Sequence, residues 1–540
     1  MQNSFNSKTF TPIIIALSLI LGIWIGYNQP ISSTDANTST KLNEIFNYIS
    51  DEYIDSVNLD SIVEKSLPDI LAQLDPHSTY IPAKDLQATN DELEGSFSGV
   101  GVSFSIMNDT ITIIEVIANG PCEKMGVIAG DRIISVDGEN VAGISISNEK
   151  VMSLLKGPKG TKVKLGIKRS NASTPLSFEI TRGEIPVNSV IASYIIAPHI
   201  GYIKVDKFGG KTFEEFNSSL HDLKDKGASK FIIDLRGNGG GYMSAAILMA
   251  NEFLPKDCTI VYTKTRKKET PSNSDGNGSF QNSDIVILID EYSASASEIL
   301  AGAIQDNDRG LIIGRRSYGK GLIQNQFNLH DKSAIRLTVG RYFTPSGRCI
   351  QKEYASGDKK YYYDIIDRFN HGELYNADSI KINKDLKYKT TNGRIVYGGG
   401  GIIPDIFVPN DTSKITRYYI SVLNASLFQK FAFDFSDKNR NSLHKCKTTT
   451  DVLRHLPSDD QLLTEFVNYA QTQKITPKQV EYNTSKDLIL TAIKSLIARD
   501  FIGTQAYYEV ANKNDKTILE AISRLNNGDS KTPVSISFKK

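Results

Sequence analysis

Residues 285–324 constrain the fold more than any other stretch, because they alternate two kinds of hydrophobic pattern. A continuous apolar run at 285–289 indicates a buried strand, and after a turn of small residues the one-sided apolar segment 299–304 indicates a helix. A second short strand is predicted at 311–313. Strand, helix and strand in this order are typical of an α/β core, and the same rhythm runs through 184–350.

Within this stretch a serine and a lysine suggest a nucleophile and its base. Ser295 is the middle serine of the turn, between a strand end and a helix start, where a nucleophile is exposed and negative charge is favoured. Lys320 lies between two glycines, and Gln324, four residues further on, shares its face in an extended strand. Burial lowers the pKa of a lysine, and the neutral amine can then deprotonate a serine.

The motifs in this region resemble those of one protease family. SASASE at 293–298 precedes a GKGxxQ segment, and the pair is similar to the carboxyl-terminal processing (tail-specific) serine proteases of type S41. Three further stretches resemble the same family: LDPHSTY, YFTPSGRCIQ and GGIIPD, at 74–80, 342–351 and 400–405. Together the motifs cover most of residues 40–410 in the order found in the family.

This resemblance implies a role for each matching residue. It implies that Ser295 is the nucleophile, Lys320 the base and Gln324 the residue that orients the base. It also implies that the oxyanion is held by the backbone amides of Ala296 and of Gly241, the last glycine of DLRGNGGG. No ATP, metal or other cofactor is expected.

Other interpretations of the same residues are weaker. The stretch 314–320 matches the phosphate-binding pattern G-x-x-x-x-G-K, but Gly321 replaces the magnesium-binding hydroxyl and 322–327 indicates a strand instead of a helix. The GNGGG run lacks the spacing of a dinucleotide-binding turn. Nothing singles out His330 as a catalytic base, and we expect His77 to cap a structural turn.

A β-rich segment precedes the predicted core. Strands are expected at 111–117 and 131–136, the second closed by a tight Asp-Gly turn. Their order resembles a PDZ domain of the circularly permuted bacterial type, which captures a peptide by strand addition and holds its carboxylate on backbone amides. The glycine-rich loop of Ser98, Gly99 and Val100 is the candidate for binding the carboxylate.

The N-terminal stretch predicts a membrane segment. Residues 9–27 carry no charge and have about the length needed to span a bilayer. No small-x-small cleavage site follows, which favours an uncleaved anchor over a cleaved signal peptide. Lys8 precedes the stretch, so we expect the bulk of the chain on the periplasmic side of the inner membrane, or secreted to the periplasm if the segment is removed.

The predicted fold is a multidomain α/β protein. The resemblance implies a crotonase/Clp-like protease core, an inserted PDZ β-domain, N-terminal helices and a C-terminal helical appendage that braces the core or mediates oligomerisation. We predict an anchor with the start of a linker, an N-terminal helical segment, the PDZ domain, the core and the C-terminal domain, at 1–30, 38–92, 93–183, 184–410 and 411–540. The polar stretch 264–283 indicates a surface loop. The Tyr- and Lys-rich insertion 352–397 indicates a solvated excursion, with a surface hairpin, a substrate rim or a partner site as alternatives.

Charge and motifs together narrow the function. With 62 basic and 61 acidic residues the chain has almost no net charge and therefore no net positive charge to attract nucleic acid. Its four cysteines show no metal-ligand spacing. We expect an extracytoplasmic endopeptidase that recognises exposed C-terminal tails of proteins, with an adaptor or a second copy as further partners. The alternatives are a non-catalytic PDZ scaffold and a hydrolase of small esters. The intact Ser295, Lys320 and Gln324 argue against a decayed core.

Overall fold

The computed structural model describes residues 33–170, 172–354 and 360–529, together with Ser18. The predicted anchor at 9–27 therefore lies outside the described residues, Ser18 excepted. Among the residues that are described, no helix combines the length and the apolar character needed to cross a membrane. The chain divides into two compact units, Met1–Gln73 and Leu74–Lys540.

The first unit is helical where it is described. It contains α1 (Ser33–Glu52) and α2 (Leu59–Ala72). The second helix begins where the Asn58 side chain accepts a hydrogen bond from the Ser61 N–H, as expected of an N-cap asparagine. The N-terminal helices expected from the sequence are present.

The second unit begins with β1 (Thr79–Ile81) and α3 (Ala83–Glu94), which lead into a small β-domain. Its main antiparallel sheet has the strand order β3-β4-β5-β7-β8, with β6 paired to β5, while β2 pairs with β9. Strand β7 alternates buried Val163 and Leu165 with exposed lysines, so one face of the sheet covers the domain core. The elements are β2 (Ser96–Gly99), β3 (Val102–Met107), β4 (Thr110–Val116), α4 (Pro121–Lys124), β5 (Arg132–Val136), β6 (Glu139–Asn140), α5 (Asn148–Leu155), β7 (Lys162–Lys168), β8 (Leu176–Thr181) and β9 (Gly183–Pro186).

The core is built on a six-stranded sheet of order β10-β11-β12-β15-β16-β21. Strands β11, β12, β15, β16 and β21 run parallel and β10 is antiparallel at the edge. A second sheet has the order β1-β18-β13-β14, with β17 paired to β18. The elements are β10 (Val190–Ala197), β11 (Ile200–Val205), α6 (Thr212–Asp225), β12 (Lys230–Asp234), α7 (Met243–Asn251), β13 (Thr259–Thr265), β14 (Glu269–Asn273), β15 (Asp284–Ile289), α8 (Ala296–Asp306), β16 (Leu311–Gly314), β17 (Leu322–Asn328), β18 (Ala334–Phe343), α9 (Lys360–Asn370), β19 (Lys387–Lys389), β20 (Ile395–Tyr397) and β21 (Ile406–Phe407).

Both faces of the parallel sheet are buried, which explains why its strands are almost continuously apolar. On one face Ile233 and Ile287 pack with residues of α6, α7 and α8. On the other face Ile232 and Val286 pack against Ile518 of the last helix. The fold class expected from the alternation of strands and helices is confirmed.

The C-terminal region is helical and forms its own apolar core around Phe431, Phe466 and Ile493. Its helices are α10 (Arg417–Asn424), α11 (Leu427–Lys438), α12 (Arg440–Leu443), α13 (Thr449–His455), α14 (Asp459–Thr472), α15 (Gln479–Ile502), α16 (Thr504–Ala511) and α17 (Lys516–Asn527). Helix α17 packs on the core sheet, in agreement with a bracing role.

Two predictions about polar stretches are wrong. The segment 264–283 is not simply a loop, because β14 within it pairs antiparallel with β13. The insertion 352–397 is not a solvated excursion, because it contains α9, whose Tyr361 and Arg368 are 3% and 1% exposed. In both cases the polar composition indicated exposure to solvent. The strand pairing of the first segment and the burial of the second depend on contacts that the local composition does not show.

Candidate active site

Ser295 occupies the junction between β15 and α8 that the sequence predicted. It is half-buried between buried neighbours and has φ 57° and ψ −115°, a backbone conformation that L-residues rarely adopt. Such strain costs about 1–3 kcal/mol and persists only where the surroundings enforce it, as at functional sites. Hydrolase nucleophiles are found on similarly sharp strand-to-helix turns.

The glycine-rich loop after β12 lies directly against this serine. A Cβ atom on Gly240 would lie 2.7 Å from Cβ of Ser295 and 3.0 Å from the amide nitrogen of Ala296, so only glycine allows this approach. Phe208 donates its N–H to the Gly240 carbonyl and accepts from Tyr242, and neither bond uses the N–H of Gly241. The predicted oxyanion residues therefore belong to two backbone segments in contact at Ser295.

Lys320 and Gln324 meet as predicted. The Lys320 Nζ donates to Oε1 of Gln324 at 2.9 Å, and Nε2 of Gln324 donates to the His77 carbonyl. Burial lowers the pKa of Lys320, and the positive charge of Arg336 lowers it further. A lysine oriented by an amide and shifted toward its neutral form can act as a base.

Glu298 connects the two halves of the site, and the sequence analysis overlooked it. Its fully buried carboxylate accepts hydrogen bonds from the N–H groups of Ser295 (2.9 Å), Gly319 (2.7 Å) and Lys320 (2.8 Å), and from Oγ of Ser317 (2.5 Å). Burial raises the pKa of Glu298 to about 7, against the effect of these donors. The signal was available, since Ser295 and Glu298 have the S-x-x-E spacing of a helix capping box.

Tyr342 provides a second connection. Its buried phenol oxygen lies 3.0 Å from the carbonyl oxygen of Ser295 and also contacts the carbonyl oxygen of Lys320. Glu298 thus binds the backbone N–H groups of the serine and the lysine, and Tyr342 contacts their backbone carbonyl groups. Tyr342 begins the YFTPSGRCIQ stretch noted in the sequence, but nothing local places it beside Ser295, because it reaches the site from β18.

The turn predicted at His77 is present, but the side chain that caps it is that of Asp75 and not that of His77. The His77 N–H donates to Oδ1 of Asp75 at 2.8 Å, and Ser78 donates to the same carboxylate through N–H and Oγ. Burial, followed by the positive charge of Lys320, lowers the pKa of His77 to about 4, so its ring is neutral at pH 7. The carbonyl oxygen of His77 contacts the site directly, because it accepts a hydrogen bond from Gln324.

The candidate carboxylate loop is more ordered than its glycine content suggests. Ser98 and Gly99 end strand β2 and pair with β9, and Val100 is buried. The carbonyls of Ser98 and Val100 accept from the N–H groups of Gly157 and Cys122. The assignment of all three residues to a loop is therefore wrong for the first two, while their role in carboxylate binding stays a prediction.

Comparisons with known proteins agree with this geometry. Residues 199–360 match the model of peptidase family S41, residues 112–169 match a PDZ domain, and residues 418–503 match a family of unknown function. A carboxy-terminal-processing protease of Bartonella bacilliformis is 35% identical over 329 residues, 59% of this chain and 75% of that protein. The chain belongs to peptidase family S41.

Other members of the family show similar coverage. Carboxy-terminal processing protease CtpB of Bacillus subtilis is 31% identical over 64% of this chain and 73% of its own length. A carboxyl-terminal-processing protease of Synechocystis is 32% identical over 63% of this chain and 84% of its own. The chain is thus a serine peptidase of family S41 with a PDZ domain.

The phosphate-binding alternative fails, because a strand, β17, follows Lys320 where that motif requires a helix.

Proposed function

We propose that this S41 peptidase is an extracytoplasmic endopeptidase that cleaves proteins recognised by their C-terminal tails, with Ser295 and Lys320 as its catalytic dyad. The observation that carries the proposal is the shared anchoring of Ser295 and Lys320 by Glu298 and Tyr342. The backbones of Ser295 and Lys320 are thereby fixed by the same two side chains. Burial also lowers the pKa of the lysine.

The dyad supports acyl transfer in two steps. The neutral Lys320 amine accepts the hydroxyl proton of Ser295, and Oγ forms a bond to the carbonyl carbon of the scissile peptide. The N–H groups of Ala296 and Gly241 stabilise the oxyanion, and one such donor is worth roughly 3–4 kcal/mol. The Lys320 ammonium then protonates the leaving amine. Water hydrolyses the acyl-enzyme with the same lysine as base.

The PDZ domain offers a place for the substrate tail. Strand β3 stands at one end of the strand order β3-β4-β5-β7-β8, where an extended peptide can add as a further strand. We propose that Ser98, Gly99 and Val100 face the terminal carboxylate. The names of the relatives, which describe carboxy-terminal processing, support this choice of substrate.

The proposed location rests on the N-terminal segment. An uncharged stretch at 9–27 after Lys8 would anchor the chain in the inner membrane and leave the peptidase on the periplasmic side. Protease added to intact spheroplasts should digest the chain. If digestion required lysis of the spheroplasts, the proposed orientation would be wrong.

The catalytic proposal is tested with an unfolded protein that ends in an apolar tail. The parent chain should cleave it, while Ser295→Ala and Lys320→Ala should lower kcat by at least about a thousandfold, since each removes a member of the dyad. The same protein with an acidic tail should be cleaved slowly through a higher KM. Equal cleavage by parent and variants would refute the dyad, and binding of the tail without cleavage by the parent would favour a scaffold.

A further inference from the structure

The insertion 352–397 reaches the lysine side of the active site through helix α9. Helix α9 buries Tyr361, whose phenol oxygen lies 2.7 Å from Nε2 of His77. The two rings meet edge to face with centroids 5.3 Å apart. Tyr361 therefore contacts the turn residue whose carbonyl accepts a hydrogen bond from Gln324.

Three hydrogen bonds, joined through the covalent structure of His77 and Gln324, connect Tyr361 of the insertion to the proposed base. Tyr361 bonds the His77 ring, the His77 carbonyl accepts from Nε2 of Gln324, and Oε1 of Gln324 accepts from Lys320 Nζ. Gln324 uses both ends of its amide, so its orientation depends on the position of the His77 carbonyl. A shift of His77 would change the direction in which Oε1 points at the ammonium or amine of Lys320.

The neighbours of Tyr361 allow it to be the donor of the first bond. Gln351 donates Nε2 to the Tyr361 oxygen at 3.4 Å, which leaves the phenol hydrogen for another acceptor. The His77 ring is neutral, because burial and Lys320 lower its pKa to about 4. Nε2 of the neutral ring can then accept the hydrogen from Tyr361.

The insertion is itself held firmly against the core. The Lys352 ammonium lies 3.8 Å from the Tyr318 ring centroid and 4.3 Å from that of Tyr361, and it pairs with Asp364 at 3.1 Å. Such cation–π contacts between partly buried groups fix the ring as well as the charge. The phenol of Tyr361 is therefore presented to His77 by packing on both sides.

The other end of α9 is anchored by buried charges. Arg368 and Arg316 both donate to the carboxylate of Glu373, at 2.8 and 2.7 Å. Arg368 also donates to the carbonyl of Ser317, whose hydroxyl bonds Glu298. Breaking a buried, paired charge of this kind is costly, so α9 has little freedom to move away from the site.

We propose that Tyr361, on helix α9 of the insertion 352–397, is a positioning residue for the catalytic lysine. The inference rests on the proposed function, in that it takes Lys320 to be the base. Tyr361 acts through His77 and Gln324 and does not touch the reacting atoms. Its removal should change the rate of the chemical step and leave the capture of the tail unaltered.

The test compares Tyr361→Phe with Tyr363→Phe in the full chain. The first variant removes one oxygen atom and keeps the ring against Lys352, while Tyr363, on the same helix, is 57% exposed and serves as the control. Tyr361→Phe should lower kcat on the tailed protein about tenfold with KM changed less than twofold, the pattern of a lost catalytic interaction. Labelling of Ser295 by a fluorophosphonate should slow by a similar factor, and the thermal midpoint should fall by no more than the roughly 2–4 °C expected for about 1 kcal/mol lost with one hydrogen bond.

A second variant separates positioning from loss of structure. His77→Ala keeps the carbonyl used by Gln324 and removes the ring, so it should show the same loss in kcat, and the double variant should be no slower than either single one. Normal kcat for Tyr361→Phe, or a rate loss matched by a large fall in thermal midpoint, would overturn the inference. If Lys320→Ala is inactive while Tyr361→Phe is fully active, only the inference fails. If Lys320→Ala is active, the proposed function fails.

Discussion

The role of Glu298 can be tested by an isosteric change. In Glu298→Gln one carboxylate oxygen becomes an NH₂ group, while the carboxylate accepts from Ser317 and Gly319 on one oxygen and from Ser295 and Lys320 on the other. If the NH₂ group faces Ser317, that hydroxyl can rotate to accept, but the Gly319 N–H loses its acceptor. If it faces the other pair, both N–H groups lose theirs. Either orientation leaves at least one buried donor unsatisfied.

The magnitude follows from these counts. An unsatisfied buried donor costs about 1–3 kcal/mol, so the core should lose at least that much stability. For a domain of about 150–250 residues each kcal/mol lowers the thermal midpoint by roughly 2–4 °C. Gly319 immediately precedes Lys320, so the same disturbance misplaces the base. A misplacement costing about 1.4 kcal/mol in the transition state lowers kcat/KM about tenfold.

The assay measures kcat/KM on the tailed protein together with the thermal midpoint. Glu214→Gln makes the same chemical change at an exposed position in the first turn of α6 and should leave both quantities near the parent values. Glu298→Gln should lower both. A variant with the activity and the midpoint of the parent would refute the reasoning that this carboxylate joins the serine and lysine segments.

Two further predictions concern the base and the position of the PDZ domain. In the proposed mechanism the neutral form of Lys320 is the active one, and burial lowers its pKa. We therefore expect kcat/KM to rise with pH to a plateau, with a midpoint below the ordinary lysine value of about 10.4. A decrease of kcat/KM with rising pH in this range would contradict the prediction. Asp437 of the helical region pairs with Arg132 of the PDZ domain at 3.1 Å and accepts a hydrogen bond from Ser170 at 2.6 Å. We therefore expect limited proteolysis to cleave the Asp437→Ala chain faster than the exposed control Asp222→Ala. Equal rates of cleavage would exclude a bracing role for this contact.

The parts of the site that follow from local sequence were predictable. The position of Ser295 depends on an apolar strand, a turn of small residues and a helix that are contiguous in the chain. The pairing of Lys320 with Gln324 depends on a spacing of four residues in an extended segment, and the structure brings them together. Such features can be predicted because they depend on the periodicity of neighbouring residues and not on contacts between distant parts of the chain.

The strained φ of Ser295 and the approach of Gly240 were not predictable in the same way. A positive φ at a serine has no sequence signature, and it is enforced here by bonds to Glu298 and Tyr342. Tyr342 lies on β18 of the second sheet, so its contact with the Ser295 carbonyl arises only when the two sheets assemble. The spacing of Glu298 was legible as a capping box, but its bonds to Gly319 and Lys320 were not.

The insertion shows why polar composition misleads near an active site. Lysines, arginines and tyrosines in 352–397 indicate a solvated surface when each is considered alone, because burying one unpaired charge is unfavourable. In the structure the charges of Arg316, Arg368 and Glu373 satisfy one another, and the Lys352 ammonium is enclosed by Tyr318 and Tyr361. Pairing removes the penalty that made burial improbable, and it has a mechanical consequence. A hydrogen-bonded polar cluster fixes directions as well as distances, whereas an apolar contact fixes distance alone. In the proposed mechanism the Lys320 amine must be held in one direction, and a polar cluster beside Gln324 and His77 can supply that constraint.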